Sequence, residues 1–186
     1  MTPSYTVRPI RAHEWREVRS LRLTALRDDA ASIAFLESYD DAAGRPDAFW
    51  QDRVRGSALD AGGDAGVRQF VAVADDGTWV GTATVLVERA GDVDFTGAVV
   101  PESGGHVVGV FLDPGHRGRG LLGDLLREAT GWARERGLSR ARLHVHVDND
   151  RARRAYEKAG FIATGVQITA VNGPELEMAR ELSAER

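Results

Sequence analysis

The chain switches repeatedly between two hydrophobic periods, and the switches mark its elements. Tyr5 to Ile10 (YTVRPI) alternates like a short strand, after which WREVRSLRLTAL spaces Val18, Leu21, Leu23 and Leu26 as a helix does. Between Asp28 and Gly44 the pattern breaks into DDAASIAFLESYDDAAG, a mixture of aromatic and acidic residues that fits a substrate-facing region or a surface loop with Phe35 and Leu36 tucked inward. RPDAFWQDRVRGSAL then resumes as a second helix beginning near Pro46.

Two apolar runs, QFVAVAD and WVGTATVLVE, are joined through Asp75, Asp76 and Gly77, a strong signal for an antiparallel hairpin. RAGDVDFTGAVVPESGG is loop-rich, and His106 to Leu112 (HVVGVFL) reads as a continuous buried strand stopped by Asp113, Pro114 and Gly115. From Leu121, apolar residues recur at Leu122, Leu125, Leu126, Ala129, Trp132 and Ala133, an amphipathic helix ending at Gly137. ARLHVHV predicts a strand, NDRARRAYEKAG a helix with an Asn/Asp cap, and FIATGVQITAVNGPELEMAREL a strand pair turning at Asn172-Gly173, although PELEMAREL carries good helix propensity. The predicted order is strand, two helices, three strands, helix, strand, helix and one or two closing strands, a mixed α/β sheet.

With 186 residues and no composition shift or linker, the chain is expected to form a single domain over residues 1–186. A hydrophobic fraction of 42% and a charged fraction of 28% are ordinary for a soluble protein, and the net charge of -4 argues against nucleic-acid binding by bulk electrostatics. The absence of cysteine excludes disulfides, thiolate metal sites and a cysteine acyl-enzyme. The N-terminus is charged where a secretory signal needs an apolar core, and no stretch approaches the ~18 apolar residues of a membrane span, so a cytoplasmic location is expected, with no membrane partner. Lys158 is the sole lysine among many arginines.

The segment DPGHRGRGLLG, from Asp113 to Gly123, contains both G-x-G-x-x-G (Gly118, Gly120, Gly123) and G-x-x-x-x-G (Gly115 to Gly120). A P-loop needs Lys and then Ser or Thr after its second glycine, and Leu121 and Leu122 stand there instead. A dinucleotide site needs its glycines directly after the strand and a second half-domain, and neither condition is met. What the two motifs share still applies: backbone N–H groups of Arg117 to Leu122, unobstructed at Gly118 and Gly120, can converge on a pyrophosphate at the positive end of a helix. His116, Arg117 and Arg119 add charge.

VFLDPGHRGRGLLGDLL resembles the pyrophosphate loop of the GNAT superfamily of N-acetyltransferases, and Leu143 to Phe161 (LHVHVDNDRARRAYEKAGF) is similar to that family's second signature. Leu122 departs from the first, standing where Gly or Ala is usual. The resemblance is firm from Val107 to Phe161 and covers the first sixty residues only in element order. It implies a mostly antiparallel, splayed sheet flanked by helices, with the strands carrying Val110 and Val145 diverging around acetyl-CoA. It assigns donor contacts to Val110, Phe111, Leu112, Arg117, Gly118, Arg119, Gly120, Leu121, Leu122, Asn149 and Tyr156.

Without cysteine, the simplest chemistry is direct attack of an amine on the acetyl thioester. The resemblance makes Tyr156 the general acid for the leaving thiolate, an unperturbed phenol pKa near ~10 suiting that role, and a backbone N–H of Val110 to Leu112 the oxyanion donor. Candidates for the base are Glu88 at its strand end, which we carry forward, His106, and the acids of Glu37 to Asp41. His144 and His146 lie on one strand face, where H-x-H can ligate metal, but further ligands are missing from the nearby sequence and no metal is expected. The expected activity is transfer of acetyl from acetyl-CoA to a primary amine of a small, cationic molecule; acetylation of a peptide or protein and a non-catalytic acyl-CoA-binding module are the alternatives. A homodimer is compatible with the sequence.

Overall fold

The computed structural model describes residues 4–182. Its strands are β1 (Tyr5–Pro9), β2 (Val67–Ala74), β3 (Trp79–Glu88), β4 (Gly104–Leu112), β5 (Arg140–His146), β6 (Ile162–Ala170) and β7 (Gly173–Glu181). Its helices are α1 (Trp15–Ala25), α2 (Ala31–Ala34), α3 (Tyr39–Ala43), α4 (Asp47–Ser57), α5 (Leu121–Glu135) and α6 (Asp150–Lys158). The strands form one sheet in the order β1-β2-β3-β4-β5-β7-β6, antiparallel everywhere except between β4 and β5. This is the mixed, mostly antiparallel α/β architecture expected.

Each face of the sheet carries its own core. On one, α5 buries Leu121, Leu125, Leu126, Ala129 and Ala133 against Val85, Val107, Leu143 and Met178. On the other, α1 and α4 bury Val18, Leu21, Trp50 and Val54 against Val71 and Phe111. Each such large side chain contributes about 1.5–3 kcal/mol when fully buried.

Two segments refine the sequence reading. The stretch from Asp28 to Gly44 holds two short helices, α2 and α3, the latter capped by the Ser38 hydroxyl accepting from the Asp41 N–H. PELEMAREL is strand, because packing overrides its helix propensity: in the register with β5, Leu176 faces Val145 and Met178 faces Leu143, which puts both on the α5 side and Glu175 and Glu177 on the other.

The strand that matters most is β4. Opposite β3, Phe111 pairs with Thr82 and Val108 with Thr84, so Gly109 and Val110 together oppose Ala83. This is a bulge, made possible by Gly109 at φ +61. The extra residue reverses the side-chain parity: Val107 packs into the α5 core, whereas Phe111, an even number of positions further on, packs into the opposite one.

Candidate active site

Parallel pairing between β4 and β5 is limited to Gly105 with Ala141 and His106 with Arg142, after which the two strands diverge. The wedge between them opens into a cavity of about 680 Å³. Val110, Phe111 and Leu112 line one wall and Val145 the other, so backbone of β4 with no strand partner beyond the divergence faces the space.

The glycine loop closes one end. Gly118 and Gly120 adopt φ +76 and +81, left-handed values that disfavour any side chain, and a Cβ at either position would meet nothing within 4 Å. The glycines are therefore required by backbone shape and leave open space above the loop. Gly120 is the N-cap of α5 and provides no side-chain cap, so the 15-residue helix starts uncapped at Leu121 and Leu122, two residues that line the cavity. Leu122 lines the cavity while leaning on the α5 core. Arg151, Arg154 and Lys158 of α6 bring positive charge to the same cavity. A loop of this shape, an uncapped helix start and cations nearby fit a pyrophosphate.

The loop arginines are engaged otherwise than the sequence suggested. Arg117 Nε donates to the Leu112 carbonyl at 2.9 Å and its terminal nitrogen pairs with Asp28, although the side chain still lines the cavity. Arg119 is turned to the Tyr5 hydroxyl at 3.2 Å and the Gly115 carbonyl at 3.4 Å, and it does not line the cavity.

Asn149 caps α6, its Oδ1 accepting from the Ala152 N–H at 3.2 Å, and it also lines the cavity. About two helical turns on, Tyr156 is buried with its ring edge-on to Phe161 and lines the cavity as well. Burial first, and the Glu175 carboxylate second, raise its phenol above the ordinary value, so it stays protonated.

Glu88 is a correction. It does not line the cavity; its carboxylate accepts from Arg142 at 2.8 and 2.9 Å and faces His106 Nδ1 at 2.9 Å. Burial alone would raise its pKa, but these donors outweigh it and bring it down to about 2, which makes Glu88 a poor direct proton acceptor. Of the other candidates, Glu37 is paired with Arg22 and Arg45, and His106 is buried beneath Phe95 with its ring facing His144. His144 and His146 have separate partners: His144 Nδ1 meets His106 Nε2 at 3.3 Å, and His146 Nδ1 accepts from the Asp148 N–H.

Asp28 and Phe35, from the stretch read as a substrate-facing region or an inward-tucked loop, line the cavity, as do His144 and Glu175, which were not singled out for it. Glu175 faces His146 in the β5–β7 register, a relationship visible only once the strands are paired. Asp28 reaches Arg117 across 89 positions of sequence, which no local pattern encodes.

The sequence pattern of the acetyltransferase (GNAT) family matches residues 15–161. The chain belongs to that family. Streptothricin acetyltransferase of Streptomyces lavendulae is 34% identical over 116 residues, which are 62% of this chain and 56% of the relative, so the match spans little more than half the relative's length. A solved nourseothricin acetyltransferase is 29% identical, with a TM-score of 0.55 over 64% of this GNAT chain and 68% of its own. A phosphinothricin acetyltransferase from Sinorhizobium meliloti, solved with AcCoA, superimposes with a TM-score of 0.71 at 18% identity, covering 98% of this chain and 90% of that one, a likeness of fold.

Proposed function

We propose that this GNAT acetyltransferase moves the acetyl group of acetyl-CoA directly onto a primary amine of a small molecule, as one domain spanning residues 1–186 and in the cytoplasm. The observation that carries the reading is the cavity at the divergence of β4 and β5, with the glycine loop at one end and Tyr156 in its wall. Gly118, Gly120, Leu121 and Leu122 would hold the pyrophosphate through backbone N–H groups, with Asn149 beside them. Backbone of Val110, Phe111 and Leu112 would pair with the pantetheine amides and supply the oxyanion donor, worth about 2.7–4 kcal/mol. The thioester supplies an activated carbonyl. Since the chain lacks cysteine, the amine attacks it directly, and Tyr156 donates its proton to the departing sulfur.

A small cationic acceptor is supported by Glu175 in the cavity lining and by the small-molecule names of the relatives. The test is CoA release from acetyl-CoA in the presence of streptothricin, phosphinothricin, spermidine and a set of peptides, read with a thiol reagent to which the cysteine-free chain adds no background. Turnover on small amines is expected. Turnover on peptides alone would favour a protein acetyltransferase, and tight CoA binding with no turnover a non-catalytic acyl-CoA module.

A further inference from the structure

Directly behind the cavity wall, three side chains from three adjacent strands form a line. His144 of β5 lines the cavity, with its side chain 4% exposed. Its Nδ1 lies 3.3 Å from Nε2 of His106 on β4, whose Nδ1 lies 2.9 Å from Glu88 on β3. Glu88 is the outermost of the three, at 13% exposure. We propose that His144 is the general base that takes the proton of the acceptor ammonium, that His106 receives the proton His144 passes on, and that Glu88 is a positioning residue that holds the His106 ring and faces its charge.

Hydrogen-bond chemistry gives the line a direction. A carboxylate only accepts, so His106 Nδ1 carries a hydrogen and donates it to Glu88. In neutral His106, Nε2 is then an acceptor and takes the hydrogen on His144 Nδ1. This leaves His144 Nε2 as a free lone pair, 3.9 Å from the nearest Glu177 oxygen and outside hydrogen-bond range. The transfer balances: the ammonium N–H breaks as His144 Nε2 gains its proton, and His144 Nδ1 passes its own to His106 Nε2. The amine is neutral, His144 is neutral in its other tautomer, and His106 is an imidazolium against Glu88.

The surrounding charge has room for this one proton. The groups packed around the two rings are Glu88 of β3, Asp94 of the β3–β4 loop, Arg140 and Arg142 of β5 and Glu177 of β7. Three carboxylates face two guanidiniums, and a single imidazolium neutralises the set. Phe95 packs on both rings, 5.5 Å from His106 and 5.3 Å from His144 between centroids, covering them from one side. Burial, then His106 and Arg142, push His144 down to about 4, so at neutral pH it is unprotonated, and it takes the proton as a relay to His106 rather than by its own basicity. The Glu88 carboxylate, 2.9 Å from His106 Nδ1, stands beside the imidazolium that the transfer forms.

The catalytic role rests on the acetyl-transfer reading, whereas the wiring of the rings does not, and the experiment separates them. The first arm follows the ring nitrogens of His106 and His144 by 15N NMR between pH 4 and 9 in the free protein. We expect His106 Nδ1 to stay protonated, one proton to enter with a common midpoint on both rings, and that midpoint to fall by roughly one unit in Glu88→Gln. Independent midpoints, or a Glu88→Gln midpoint equal to the wild type, would overturn the line whatever the activity. In the second arm, His144→Gln is expected to lower kcat roughly 10²–10⁴-fold and abolish the acid limb of the kcat/KM profile, with KM for acetyl-CoA within about twofold. His106→Gln should flatten the same limb with a smaller loss. Wild-type CoA release that His144→Gln leaves intact would defeat the base and spare acetyl transfer; coupled rings in a wild type that releases no CoA from any acceptor would uphold the wiring and overturn acetyl transfer and the base with it.

Discussion

Asp28 holds Arg117: the carboxylate at the end of the first helical segment pairs with the guanidinium of the glycine loop, and Arg151 of α6 reaches the same carboxylate at 3.5 Å. Two cations at a cavity suited to a pyrophosphate are thus partly neutralised by an acid 7% exposed. Asp28→Asn frees both, and CoA should bind roughly three- to tenfold more tightly at low salt, the gain shrinking as salt is added. Calorimetry at two ionic strengths measures this. Weaker binding would mean that Asp28 positions the arginines more than it competes with the phosphates.

Tyr156→Phe removes only the hydroxyl from a ring that packs on Phe161. Turnover should fall about 10²–10³-fold while CoA affinity stays within about twofold. Because burial and Glu175 raise the phenol, the wild type should lose no activity to its ionisation up to about pH 10. A pH–rate profile of the two proteins tests both statements.

The glycines of the loop should respond in opposite directions. Gly120→Ala forces an L-residue to φ +81 and should cost about 1–2 kcal/mol in urea unfolding, with weaker CoA binding. Gly123, which completes the dinucleotide-like spacing, sits in the first turn of α5 with nothing within 4 Å of a Cβ. Gly123→Ala should stabilise the free protein by about 0.5–1 kcal/mol.

Arg142 serves Glu88, Asp94 and Glu177 together. Arg142→Gln leaves three poorly solvated carboxylates without it and should destabilise by about 3–5 kcal/mol. In the wild type all three acids have folded pKa values below their ordinary range, against burial, through hydrogen bonds that include Arg142. Their contribution is complete above about pH 5 and is lost as the pH falls toward about 2, the folded value of Glu88. Urea midpoints measured from pH 6 downwards should fall with acid, and by less in Arg142→Gln.

Elements with one clear period were legible in the sequence. The hairpin at Gly77, the apolar stripe of α5 and the cap at Asn149 each follow from local chemistry. The bulge at Gly109 was not, because HVVGVFL reads as one unbroken apolar run, and an extra residue shows only against a partner strand. The same blindness to pairing misjudged Glu88. A carboxylate at a strand end looks like a free base until Arg142, 54 positions later, is found beside it. Tyr156 and Asn149, both of which line the cavity, could be picked out together because one short motif around α6 carries them.

Tyr5 touches the glycine loop from the far end of the chain, its hydroxyl 3.0 Å from His116 Nδ1 and 3.2 Å from Arg119. These contacts join positions 111 and 114 residues apart. Closing such long separations is slow, because chain entropy must be given up before the contact forms. During synthesis β1 precedes the loop, and it finds its partner there only after β2, β3 and β4 have been made. Part of the loop's conformation therefore waits on a contact that no local segment can supply.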